Sequence, residues 1–259
     1  MNDAALIRDH HDSLRIVRRA DIPLNEIRSV LDAGGELLKK SNKSCTRRVG
    51  SYVIKSTQWQ YGLGPLKLTL TPGRYRRAWN AAVYLERQGV HVPTPYAFVV
   101  RRRFGITWNN TVITRYLEGA CDVEAFADRH LLGSEHADAA RAYLLRLADA
   151  VNRLCASGAY HADLSGKNIL TQDGRIFWFI DLDSVRIGRP YTRRWRMRNH
   201  IQLYDSFCDR WSPSTLRPFI ERLEPPETDS PDAWFDQVRE GQRCRRARHE
   251  ARYRPHLTR

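Results

Sequence analysis

The sequence predicts an α+β chain in two lobes, a small antiparallel sheet in front and a mainly helical body behind. Three observations carry that reading. Short strand-like runs lie between Gly35 and Leu117, the strongest helical periodicity spans residues 135–157, and Gly119 breaks the chain between them. Its 259 residues suit one sizeable domain or two lobes sharing a core. A hydrophobic content of 42% with 10% aromatics excludes wholesale disorder.

The elements follow in order. Residues 1–30 read as an extension, a helix or two packed on the body, ahead of a front lobe over 31–118 and a rear lobe over 119–259. Residues 45–49 and 52–56 flank the two-residue turn Gly50-Ser51, the pattern of a β-hairpin. Residues 57–70, punctuated by Gly and Pro, give no clear element. Thr71-Pro72 opens a helix that runs to about Gln88 and is closed by Gly89. Beyond the breaker Val92-Pro93-Thr94-Pro95, residues 96–103 and 111–117 read as strands around a turn-rich 105–110. In the helix over 135–157, Tyr143, Leu144, Leu147, Ala148, Val151, Leu154 and Cys155 recur at i, i+3, i+4, i+7. Residues 168–183 read as strand, Asp173-Gly174 turn, strand. Helix returns from about Arg196, broken at Ser212-Pro213 and over 225–231.

Charge is concentrated. The chain carries a net +14, and residues 37–117 hold 15 basic side chains against one acid, Glu86. A segment of that composition expects an anionic partner: phosphate, acidic saccharide, anionic lipid or nucleic acid. The charged first residues do not resemble a secretory leader, and no apolar run reaches membrane-spanning length. Five widely spaced cysteines without a C-x-x-C pair argue against a disulfide scaffold or a cysteine zinc site. The expectation is a cytoplasmic protein.

The chemistry gathers in His161-Ala162-Asp163-Leu164-Ser165-Gly166-Lys167-Asn168, followed by Phe179-Ile180-Asp181-Leu182-Asp183. The template H-x-D-x-x-x-x-N puts a base and a metal ligand on one loop, and a hairpin then delivers a second ligand. Phosphoryl transfer needs these types. Asp163 would take the proton of the attacking hydroxyl, while the oxygens of Asn168 and Asp181 would hold Mg²⁺ on the phosphates of ATP. Upstream, Tyr52-Val53-Ile54-Lys55 fits a strand ending in the lysine that meets those phosphates. In place of a Gly-rich loop stands Ser41-Asn42-Lys43-Ser44, whose amides, hydroxyls and Lys43 could cradle phosphate.

With these residues in hand, the chain resembles the lipopolysaccharide kinase family, which includes Kdo kinases and core heptose kinases. The resemblance rests on residues 160–170 (YHADLSGKNIL), 179–183 (FIDLD), 77–95 with their G-x-x-x-P-T-P ending, and 203–207 (LYDSF). It covers about residues 37–222. The resemblance implies a bilobal protein-kinase-like fold, ATP and Mg²⁺, and phosphorylation of a sugar hydroxyl of the lipopolysaccharide inner core at the cytoplasmic membrane face. It implies Asp163 as base, Asn168 and Asp181 as metal ligands, and Lys55 on the nucleotide. The expected partners are an anionic glycolipid or phosphosaccharide and an anionic membrane surface, with nucleic acid disfavoured.

One departure is clear. The acid that should pair with Lys55 falls, by spacing from Gly89, on Ala78, and Glu86 lies about 80° round the helix. Lys55 then depends on Asp181 and the nucleotide. The short link after Asp181 favours a saccharide over a peptide acceptor, and Arg189, Arg193, Arg194, Arg196 and Arg198 beyond it suit phosphate or carboxylate. Two alternatives stand beside this reading. One is an antibiotic or small-metabolite phosphotransferase; the other is a non-catalytic basic binder using the Arg-rich stretch 243–254.

Overall fold

The computed structural model describes residues 5–42, 44–57, 68–70, 73–188, 190–224 and 229–253. The chain divides into two units, Met1–Gly119 with Ile180–Val185, and Ala120–Phe179 with Arg186–Arg259.

The first unit is built on a seven-stranded antiparallel sheet. Its strands are β1 (Leu6–His11), β2 (Leu14–Arg19), β3 (Glu36–Ser41), β4 (Ser44–Val49), β5 (Tyr52–Thr57), β6 (Pro95–Arg103) and β7 (Ile106–Arg115), in the order β1-β2-β6-β7-β5-β4-β3. The helical expectation for residues 1–30 is corrected here. Residues 6–19 form a hairpin turning at Asp12, with His11 opposite Leu14, and β2 pairs with β6. Period two wins over 3.6 because it puts Ile16 on the core face while Arg15 and Val17 face the other side. Among the described residues of that stretch only α1 (Leu24–Asp32) is helical.

Two helices cover the two faces. Ile27 and Val30 of α1 pack on Ile16, Ile54, Ala97, Val99 and Ile113. On the opposite face α2 (Arg74–Arg87) lays Tyr75 and Trp79 against Phe98 and Val112. Each buried Ile, Val or Phe among them contributes about 1.5–3 kcal/mol. A Cβ on Gly73, the residue before α2, would lie 2.6 Å from the amide of Asn110, so only glycine lets the helix start this close to β7. The expected 45–56 hairpin is present, with Val49 opposite Tyr52. The turn-rich 105–110 is not a loop: β7 starts at Ile106 and the turn is Phe104-Gly105 alone, both at positive φ. Residues 58–67 and 71–72 lie outside the described residues.

The second unit holds α3 (Val123–His130), α4 (Ala137–Ala156), α5 (Arg193–Phe207), α6 (Pro213–Arg222) and α7 (Pro231–Tyr253), and the short strands β8 (Cys121–Asp122), β9 (Tyr160–His161), β10 (Ile169–Thr171) and β11 (Trp178–Phe179). In α4, the periodic residues expected as a core stripe are buried, except half-buried Cys155. Helix α5 starts before Arg196 because Thr192 caps it, accepting the Trp195 amide at 3.3 Å. Ser212-Pro213 likewise marks a start: Ser212 caps α6 with Pro213 in its first turn. The Arg-rich stretch runs along α7, where Arg245 and Arg246 pair with Asp205 of α5 and Arg246 also with Asp209. Among the described residues no helix is long and apolar enough to cross a membrane.

Candidate active site

Asp163 and Asn168 fall on a loop of the second unit, Asp181 on a loop of the first and Lys55 on β5. In the second unit, β9 leads into residues 162–168. His161 is fully buried, and its Nδ1 accepts the Asp163 amide at 3.2 Å. Gln202 of α5 accepts the Leu164 amide at 3.0 Å and donates to the Ala162 carbonyl at 3.1 Å. One turn on, Ser206 accepts the Gly166 amide at 2.8 Å and donates to the Gln202 carbonyl. Gly166 presses on Glu124, where a Cβ would lie 2.6 Å from Cγ. The loop's backbone polar groups are thus met by two neutral side chains of one helix. That leaves Asp163 exposed, with its Oδ2 accepting from the Asn168 amide at 3.0 Å. The same amide donates to the Asp163 carbonyl at 2.8 Å. Tyr160 stacks on Trp195 at 4.4 Å, which ties the start of this segment to the first turn of α5.

In the first unit, Asp181 sits in the left-handed region at φ 58 and opens a tight turn, Leu182–Ser184, anchored by buried Leu182. A short polar residue tolerates that conformation better than a branched one. Lys55, in the middle of β5 opposite Val112 of β7, forms an ion pair with Asp181. Arg74, the first residue of α2, pairs with Asp183. Burial opposes the charge of Asp181, but Lys55 and Arg74 hold its carboxyl below the usual range. Burial and the neighbouring Asp181 push the carboxyl of Asp183 up.

Lys55 and Asp181 are therefore brought together, as are Asp163 and Asn168. Glu86 is not a partner of Lys55: it binds Arg19 of β2 at 3.0 Å. Ala78 carries no acid, and α2 instead meets the Asp181 turn through a cation. Sequence reasoning missed Arg74, whose partner lies 109 residues away, although Asp183 stood in the quoted motif. It also missed Gln202 and Ser206, which have no motif of their own. Of the arginines proposed for an acceptor, Arg193 is held by Asp229 and Gln237, and Arg196 donates to the Glu224 carbonyl. Arg194 and Arg198 are exposed, while Arg189 and Lys43 lie outside the described residues. At the Ser41–Ser44 turn, the Ser44 amide is already taken by the Ser41 hydroxyl at 3.1 Å.

Comparisons with known proteins bear on the family and the fold. The family model for the lipopolysaccharide kinase (Kdo/WaaP) family matches residues 55–223, from Lys55 to the end of α6. The chain belongs to this family. As a member it is similar to the 3-deoxy-D-manno-octulosonic acid kinase of Xylella fastidiosa (strain 9a5c), 29% identical over 119 residues. That match spans 46% of this chain and 44% of the relative. Among solved structures, a WaaP in complex with acyl carrier protein superposes with a TM-score of 0.60 at 20% identity, over 83% of this chain and 91% of that one. The bifunctional kinase-methyltransferase WbdD gives 0.52 at 13% identity, over 79% of this chain and 45% of that one. Both likenesses establish the α+β kinase-like fold for this member of the family.

Proposed function

We propose that this chain is an ATP-dependent kinase that phosphorylates a sugar hydroxyl of the lipopolysaccharide inner core, Kdo or heptose, at the cytoplasmic membrane face. The observation that carries the reading is the family match over residues 55–223, which starts on the lysine paired with Asp181 and encloses Asp163 and Asn168. A relative named as a 3-deoxy-D-manno-octulosonic acid kinase supports the acceptor class. The basic front segment supports an anionic one.

In this reading Asp163 orients the acceptor hydroxyl and takes its proton as the oxygen attacks the γ-phosphorus and the bond to ADP breaks. Lys55 meets the nucleotide phosphates, releasing part of its hold on Asp181. By type, the Asp181 carboxylate and the Asn168 amide oxygen are the oxygen donors that Mg²⁺, a hard cation, takes. Mg²⁺ held by these residues would neutralise charge on the phosphates. Asn168 and Asp181 are the residues that would hold it.

The test is transfer of label from γ-labelled ATP to dephosphorylated lipid A bearing inner-core sugars. Wild type labels the glycolipid, and Asp163→Ala lowers the rate by about 10²–10⁴-fold. Equal labelling by both proteins would remove Asp163 from its role. No label with either, while ATP still binds, would overturn the acceptor.

A further inference from the structure

The β6–β7 hairpin ends in a turn that the fold does not explain. Phe104 is 90% exposed and has φ 51, in the left-handed region that an aromatic residue rarely occupies. Gly105 beside it has φ 76. Asn-Gly would make this two-residue turn with less strain, so nothing in the sheet asks for the ring. Next along β7, Ile106 and Trp108 are 36% and 49% exposed. Leu70, 75% exposed, lies against the same strand, where the Thr69 hydroxyl accepts the Thr107 amide at 2.8 Å. Four large apolar side chains thus stand in water around one hairpin tip.

The same tip is cationic. Arg101, Arg102 and Arg103 precede the turn, and Arg103 lies 5.4 Å from the Phe104 ring. A cavity of about 930 Å³ opens beside the hairpin on the α2 face of the sheet. Arg8, Arg15, Arg76 and Arg102 line it, over a floor that includes Phe98 and Val100. Among the described residues none of these arginines pairs with a carboxylate, whereas Asp9, the acid in the lining, is taken by Arg18. Asn110, 4% exposed, also lines the cavity and keeps its Oδ1 unpartnered. Aromatic side chains flanked by arginine, above a basic recess, match an anionic bilayer surface: rings for the acyl boundary, guanidinium groups for headgroup phosphates. A purely electrostatic partner would not explain the exposed rings, and an apolar protein groove would not explain arginines that, among the described residues, pair with no carboxylate.

We infer that the β6–β7 hairpin, with the arginine-lined cavity beside it, docks the first unit on an anionic lipid bilayer. This deepens the proposed function, since a glycolipid acceptor lies in a membrane, but vesicle binding is read without phosphate transfer and fails independently of it.

The experiment is co-sedimentation of the full chain with vesicles of phosphatidylcholine alone, and of phosphatidylcholine mixed with phosphatidylglycerol. Wild type partitions onto the mixed vesicles only. Phe104→Asn lowers that partition about tenfold while the thermal midpoint holds or rises, because asparagine accepts the turn's backbone. Arg101→Gln with Arg103→Gln lowers it by about twenty-five-fold, near fivefold for each arginine. A control at the other edge of the sheet, Leu37→Ser with Leu38→Ser on β3, removes two leucines that are 55% and 43% exposed and leaves partition unchanged. Wild-type binding unaffected by the hairpin variants, or lost equally in the β3 control, overturns the inference. So does a hairpin that captures an acidic protein or a second copy of this chain but no vesicle.

Discussion

Asp181 and Asp183 lean on two cations from a strand and a helix, Lys55 and Arg74, whereas residues 162–166 lean on two uncharged side chains of one helix, Gln202 and Ser206. The first arrangement is partly exposed and open to salt, and in the proposed reading Lys55 would exchange Asp181 for a nucleotide phosphate. The second is buried and directional, so each broken bond leaves a backbone group without water. The difference teaches a division of labour. Charge holds the part that would respond to nucleotide and metal, and neutral hydrogen bonds hold the part that would keep one geometry.

Four measurements break or sharpen that contrast. The largest effect is expected in acid. His200 of α5 is buried, and its Nδ1 accepts the Trp234 indole at 2.9 Å. Burial pushes its pKa down to about 3. The unfolded chain takes up a proton below about 6.5 and the folded one does not, so this stability is present above 6.5 and is lost as pH falls toward 3. Roughly 1.4 kcal/mol per unit makes about 4–5 kcal/mol in all. Urea unfolding across that window measures it, and His200→Gln, which keeps an acceptor for the indole, flattens the profile. Parallel loss in wild type and variant would place the acid sensitivity elsewhere than on α5.

Gln202→Leu comes next. It orphans the Leu164 amide and the Ala162 carbonyl together, at about 2–4 kcal/mol in chemical denaturation. A cost near zero would mean that the loop at Asp163 is held otherwise. Arg74→Gln is smaller and of a different kind. It lowers kcat/KM for ATP about tenfold with little change in thermal midpoint, and added salt narrows the gap by weakening the wild-type pair. Equal losses of stability and activity would make Arg74 merely structural. Smallest is Glu86→Gln, which removes a half-exposed pair with Arg19 and costs under about 1 kcal/mol without touching activity. A large fall in activity would return Glu86 to Lys55.

Legibility in the sequence followed range. The 45–56 hairpin, the α4 stripe and the H-x-D-x-x-x-x-N loop are local patterns, and each stands where the spacing put it. The hairpin over 6–19 was not read, because its charged residues masked an alternation that only pairing with β6 completes. The arginines after Asp181 suit phosphate or carboxylate by type, yet Arg193 and Arg196 are engaged by residues 28–44 positions away. A residue's type shows what it can bind, and its neighbours in space decide what it does bind.

By itself the sequence determined the two-part α+β class, the family and the concentration of positive charge in residues 37–117, and its motif spacing singled out Lys55, Asp163, Asn168 and Asp181 as candidates. Those are properties of composition and short-range order, which survive without coordinates. Only the tertiary structure decided that Lys55 pairs with Asp181, that Arg74 rather than a helix acid meets the Asp181 turn, and that Gln202 and Ser206 hold the other loop. Those pairings join residues 38–126 positions apart, and chain folding, not spacing, sets which partners meet.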